Sequence, residues 1–151
     1  MTVSRSVLMV AALVGLFIFS RSASGQGQAE VDKVVKDYLS TRKTEREDVE
    51  AQASAVGDLN GDGKPEIVLV WTQLGPTYSS NNLTVFSQTA AGYKAVATFP
   101  LKGEAELSTV KGGVISVNQK VLAKGDPLCC PSVKKLGRYR LVGKKIVEVK
   151  R

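Results

Sequence analysis

Side-chain oxygens recur at alternate positions in the stretch Gly57-Asp58-Leu59-Asn60-Gly61-Asp62-Gly63-Lys64-Pro65-Glu66. Asp58, Asn60 and Asp62 share one parity, and Glu66 follows shortly after. In a tight loop this spacing turns the oxygen-bearing side chains inward about one centre, while Gly61 and Gly63 allow the backbone to wrap it. The Lys64 carbonyl is a further candidate oxygen. An all-oxygen set with up to three carboxylates suits a hard cation, and its flexible geometry suits Ca²⁺ better than octahedral Mg²⁺. The expectation is a structural Ca²⁺ site formed by Asp58, Asn60, Asp62, Lys64 and Glu66, pinning one hairpin to the next. The same residues also read as a metal-free turn, because Asx side chains and Asn-Gly pairs favour tight turns unaided.

An EF-hand would carry its bidentate Glu where this chain has Leu69, inside an apolar run, so the loop is expected between strands rather than helices. At these residues the chain resembles the calcium blades of FG-GAP and VCBS-type repeats, whose core reads D-x-N-x-D-G-x-x-D followed by an apolar strand. Asp58, Asn60, Asp62 and Gly63 match, Ile67 to Val70 supply the strand, and Glu66 stands where the family carries Asp. The resemblance covers Ala53 to Phe99 and occurs once. It implies calcium at the loop, and it does not bring over the adhesion functions of multi-blade relatives.

Both cysteines of the chain stand side by side in Asp126-Pro127-Leu128-Cys129-Cys130-Pro131-Ser132. Adjacent Cα atoms lie about 3.8 Å apart, under the roughly 4.4 to 6.8 Å that disulfides prefer, so a bridge between them is strained. A vicinal Cys129–Cys130 bridge, two free thiols and intermolecular pairing all remain open, and a strained bridge would be readily reduced. No Cys-x-x-Cys motif in a thioredoxin-like setting supports a redox sensor. Taken with the loop at Asp58, this segment is similar to a group of small bacterial exported proteins that have no assigned activity. That likeness implies a bacterial periplasmic or secreted protein and adds no mechanism.

The amino terminus agrees with export. Arg5 precedes the unbroken apolar run Val7 to Phe19, and Ser20-Arg21-Ser22-Ala23-Ser24-Gly25 follows with small residues suited to cleavage before Gln26. An apolar run of that length covers about 20 Å as a helix, short of the roughly 30 Å bilayer core, so residues 1–25 read as a signal peptide. An uncleaved amino-terminal anchor is the alternative. Residues 26–151 then form a single domain with no transmembrane span, in an oxidising compartment.

Chemistry is restricted further by what is missing. The 151 residues include no His, which removes imidazole acid/base catalysis, Ser/His/Asp and Cys/His triads, and imidazole zinc sites. Ser and Thr lack a recognisable base, and no Gly-rich phosphate motif occurs. A module that binds is expected over an enzyme.

The elements that must hold the loop can be read from periodicity. Val31, Val34, Val35, Tyr38 and Leu39 fall on one face of a helix over roughly residues 29–42. From Val49 the period changes to two: Val49, Ala51, Ala53 and Ala55 alternate with polar residues, a small-residue face over which the helix could pack. Ile67 to Trp71 is continuously apolar, as in a strand covered on both sides. Leu83–Ser87 with Tyr93–Phe99, Leu107–Val110 with Val114–Val117, and Tyr139–Val142 with Ile146–Val149 flank turn residues. The expected architecture is α+β: one amino-terminal amphipathic helix packed on a curved antiparallel β-meander of about seven or eight short strands.

Charge is unevenly spread. The chain holds 21 Lys and Arg against 14 Asp and Glu. Residues 111–151 alone carry eleven basic residues against Asp126 and Glu148. Lys134, Lys135, Arg138, Arg140, Lys144 and Lys145 are therefore candidates to bind anionic envelope polymers or lipid head groups, the alternative partners to an envelope protein. A solvated, edge-protecting surface is the plainer reading. Nucleic acid is disfavoured, because Tyr139 is the one aromatic in the cluster and stacking platforms need several. Asn82-Leu83-Thr84 matches a glycosylation sequon but reads as a strand start.

Overall fold

The computed structural model describes residues 24–150; residues 1–23 of the expected leader, with Arg5 and the apolar run Val7 to Phe19, lie outside the described residues. Helix α1 spans Ser24–Ser40 and is followed by eight strands, β1 (Asp48–Gly57), β2 (Glu66–Leu74), β3 (Ser79–Thr89), β4 (Gly92–Leu101), β5 (Glu104–Lys111), β6 (Val114–Val121), β7 (Val133–Val142) and β8 (Lys145–Glu148). The strands form two four-stranded antiparallel sheets, ordered β1-β2-β3-β4 and β5-β6-β7-β8.

This corrects the α+β expectation. The chain is mostly β, and the single curved meander is replaced by two separate sheets. The break falls between β4 and β5, where Lys102-Gly103 carries the chain from one sheet to the other. Gly103 makes that passage with φ +66°, and a Cβ there would stand 1.9 Å from the Lys120 carbonyl oxygen. Only glycine tolerates both the angle and the approach. The physical reason for two sheets lies in the middle strands of the first. Ile67 to Trp71 and Leu83 to Phe86 are buried on both faces, and one helix can cover one face only.

Alternation along those strands separates the two layers of core. Ile67, Leu69, Trp71 and Phe86 point toward Val31, Val35 and Leu39 of α1. Val68, Val70, Leu83 and Val85 point the other way, against Ile115, Val117, Tyr139, Leu141 and Ile146 of the second sheet. The register agrees, with Val68 opposite Val85 and Val70 opposite Leu83. The order of layers is helix, first sheet, second sheet, and the outer face of the second sheet meets solvent.

Helix α1 ends where its last turn is capped. The Thr41 hydroxyl and amide both donate to the Tyr38 carbonyl (2.7 and 3.1 Å), and the Arg42 and Lys43 amides donate to that of Leu39. Its covered face also carries a polar node. The Trp71 indole N–H donates to the Thr84 hydroxyl at 2.9 Å, Thr84 and Thr98 hydroxyls are 3.0 Å apart, and the Tyr38 hydroxyl reaches both threonines. Tyr38 meets Phe86 and Trp71 edge-on, with ring centroids 5.0 and 6.0 Å away. Such geometry fits the ring quadrupoles.

Among the described residues, no helix is long and apolar enough to cross a membrane.

Candidate functional site

The loop Asp58 to Pro65 joins β1 to β2 and is wound by its own side chains. Asp58 Oδ1 accepts the Gly61 amide at 2.7 Å and its Oδ2 accepts that of Gly63 at 3.0 Å. Those two backbone bonds hold the Asp58 carboxyl below the usual carboxylate range. Asn60 Oδ1 accepts the Asp62 amide at 2.8 Å, and Asp62 Oδ1 accepts the Lys64 amide at 2.8 Å. Gly61 and Gly63 take φ of +80° and +78°, which the winding requires.

Glu66, the first residue of β2, is the loop's anchor. It is 1% exposed, accepts the Leu59 amide at Oε2 (2.8 Å) and accepts Asn60 Nδ2 at Oε1 (3.1 Å). The same Asn60 nitrogen donates to Asp62 Oδ2 at 3.2 Å. Asp62 and Glu66 therefore meet at one donor, the Asn60 amide nitrogen. Asp58 is turned instead toward the Gly61 and Gly63 amides, and Lys64 enters as an amide donor to Asp62. No three Asp, Glu or Cys side chains among the described residues form a ready-made metal cluster.

Leu59 was not singled out by the oxygen spacing, yet it fixes the loop in the molecule. Its side chain is 6% exposed and enters the core between the sheets. Its carbonyl lies against the β5–β6 turn, where a Cβ on Gly113 would be 3.1 Å from it. The legible signal was an apolar residue inside an otherwise polar loop. Tyr93 closes the other flank by donating to the Pro65 carbonyl at 3.2 Å.

The remaining sequence-derived residues distribute differently. Cys129 and Cys130 are joined as a vicinal disulfide, with Cα atoms 3.8 Å apart. Of the basic candidates, Lys134, Arg138 and Arg140 share the outward face of β7, whereas Lys135 has the opposite parity and bridges Glu148 at 2.5 Å. Lys144 lies in the β7–β8 turn and Lys145 begins β8. Lys145 pairs with Val142 and so lies on the outward face with Arg140. Asn82 and Thr84 lie within β3, and Thr84 is buried in the node beneath α1.

No protein family, curated protein or solved structure matches this chain.

Proposed function

We propose that this chain is an exported cell-envelope module, binding or structural rather than catalytic, whose Asp58–Glu66 loop holds a structural Ca²⁺. The observation that carries the reading is the meeting of Asp62 Oδ2 and Glu66 Oε1 at one Asn60 nitrogen, 3.2 and 3.1 Å away. Two carboxylates and an amide thus face one another in a loop of flexible oxygen donors, a set that suits Ca²⁺. Asp58, Asn60, Asp62, Glu66 and the Lys64 carbonyl are the residues that would hold the ion. Asn60 would serve through its amide oxygen, since its nitrogen is a donor only. The ion would neutralise the facing carboxylates and tighten a loop that already bears Leu59 into the inter-sheet core. Export to the periplasm or medium rests on residues 1–25, and recovery of a chain beginning at Gln26 is the check.

Calcium added to about 5 mM, above the weak limit of about 1 mM for loops of this kind, is expected to raise the melting temperature. For a dissociation constant near that limit the gain is about 1 kcal/mol. Asp62→Asn should abolish the shift. An unchanged melting temperature at that concentration overturns the calcium reading.

A second reading has one specific support. Lys134, Arg138 and Arg140 repeat along the outward face of β7 and make no ion pair among the described residues. An anionic envelope polymer or lipid head group is the partner this row would take. Retention on such a polymer that is unchanged between about 50 and 200 mM salt counts against it.

A further inference from the structure

The β6–β7 connection, residues 122–132, holds a leucine out in solvent. Leu128 is 90% exposed, and Leu122 and Val133, at the two feet of the loop, are 46% and 42% exposed. The loop that presents them is tied down. Asp126 Oδ2 accepts the Ala123 and Ser132 amides, each at 2.8 Å, and the Ser132 hydroxyl donates to the same carboxylate. A second turn closes from the Cys130 amide to the Pro127 carbonyl at 2.9 Å. Pro127, Pro131 and the Cys129–Cys130 bridge remove further freedom. Leu128 is thus held outward by structure.

Lysines are interleaved with these apolar residues. Lys124 lies between Leu122 and Leu128, Lys134 follows Val133, and Lys120 is the cross-strand neighbour of Lys134. Lys120 bridges Glu104 at 3.0 Å and Lys135 bridges Glu148, whereas Lys124 and Lys134 make no ion pair among the described residues. The loop's own acid, Asp126, is already engaged by three donors from Ala123 and Ser132.

We propose that this tip docks on an anionic lipid surface, with Leu128 entering the acyl boundary and Lys124 and Lys134 meeting head-group phosphates. The proposal is independent of the Asp58–Glu66 loop; it shares Lys134 and the anionic lipid partner with the β7 row, and differs in resting on Leu128 at the tip of the β6–β7 loop. Patch size decides between partners. A stable protein complex buries about 800 Å² on each side, far more than three apolar side chains offer. A lipid boundary accepts a small apolar tip and lets long lysine stems run up to the head groups. A soluble polyanion would engage the lysines and leave Leu128 in water. Because the tip is already rigid, docking orders little additional chain.

The experiment uses the full chain and vesicles of phosphatidylglycerol mixed with phosphatidylcholine, against phosphatidylcholine alone. In Leu128→Trp, brominated acyl chains are expected to quench the added indole on the anionic vesicles, and quenching should fade between about 50 and 200 mM salt. Leu128→Ser should lower partitioning about tenfold while the melting temperature holds, since the side chain it replaces is exposed. An unquenched indole at position 128 overturns the proposal. So does partitioning indifferent to Leu128→Ser, which would assign attachment to Arg138 and Arg140 or to the apolar run Val7 to Phe19. Full displacement by soluble polyphosphate would move the site to the lysines alone and likewise overturn it.

Discussion

Glu66 is a buried carboxylate whose two oxygens each meet a loop donor, the Leu59 amide and the Asn60 side chain. Glu66→Gln replaces one acceptor by an amide NH₂ facing a donor, so one of those buried groups loses its partner. The expected loss is about 1–3 kcal/mol, read by denaturant or thermal melting, together with loss of any calcium response. Asp58 and Asp126 behave alike at the surface. Backbone bonds from Gly61 and Gly63 lower the Asp58 pKa, and bonds from Ala123 and Ser132 lower that of Asp126. A depressed carboxyl pKa means that the stabilising charge is present above the unfolded value of about 3.9 and is lost as pH falls through the folded value. Protection factors at Gly61, Gly63 and Ser132, corrected for intrinsic exchange, should therefore fall below about pH 4 before the sheets open. Oxygen spacing made Asp58, Asn60, Asp62 and Glu66 legible in the sequence. It could not tell that Glu66 would sit inside the molecule, because that depends on where Leu59 is buried. Adjacency made the two cysteines conspicuous; alkylation of the unreduced chain should label neither, as their bridge requires.

Among the elements, β7 depends on a missing side chain. A Cβ at Gly137 would stand 2.5 Å from Gln119 Oε1 and 2.7 Å from the Tyr139 hydroxyl. Those two atoms are hydrogen-bonded at 2.9 Å, and Gln119 also donates to the Lys102 carbonyl. Gly137→Ala is expected to lower stability by about 1–3 kcal/mol, seen as a reduced melting temperature. Burial, with help from Glu148, pushes the Tyr139 pKa up to about 12. A raised pKa keeps its contribution intact below the unfolded value of about 10 and loses it as pH rises toward 12, so stability should decline across that interval. Tyrosinate absorbance compared with circular dichroism would follow both events. Helix α1 was legible from Val31, Val35 and Leu39, and the turn at Ala90-Ala91 from its flanking alternation. The change of sheet at Gly103 was not, since strand periodicity records which residues share a face and carries no record of which strand lies next door.

At the scale of the molecule, the inter-sheet core makes each sheet the other's solvent shield. Ile115 is fully buried and packs in the same cluster as Val68, Val70, Leu83 and Val85 across the interface. Ile115→Ala is expected to cost about 2–5 kcal/mol, and protection of the Val68 and Val117 amides should be lost at one denaturant concentration. Separate midpoints for the two sheets would contradict this coupling. The three-layer order has another consequence. The chain has one Trp, and its indole is fixed beneath α1 by Thr84 and edged by Tyr38, on the face turned away from the second sheet. Its emission is therefore an optical gauge of helix docking while the sheets stand: a red shift that precedes loss of sheet signal would date the departure of α1, and a coincident shift would mean that helix and sheets come apart as one unit.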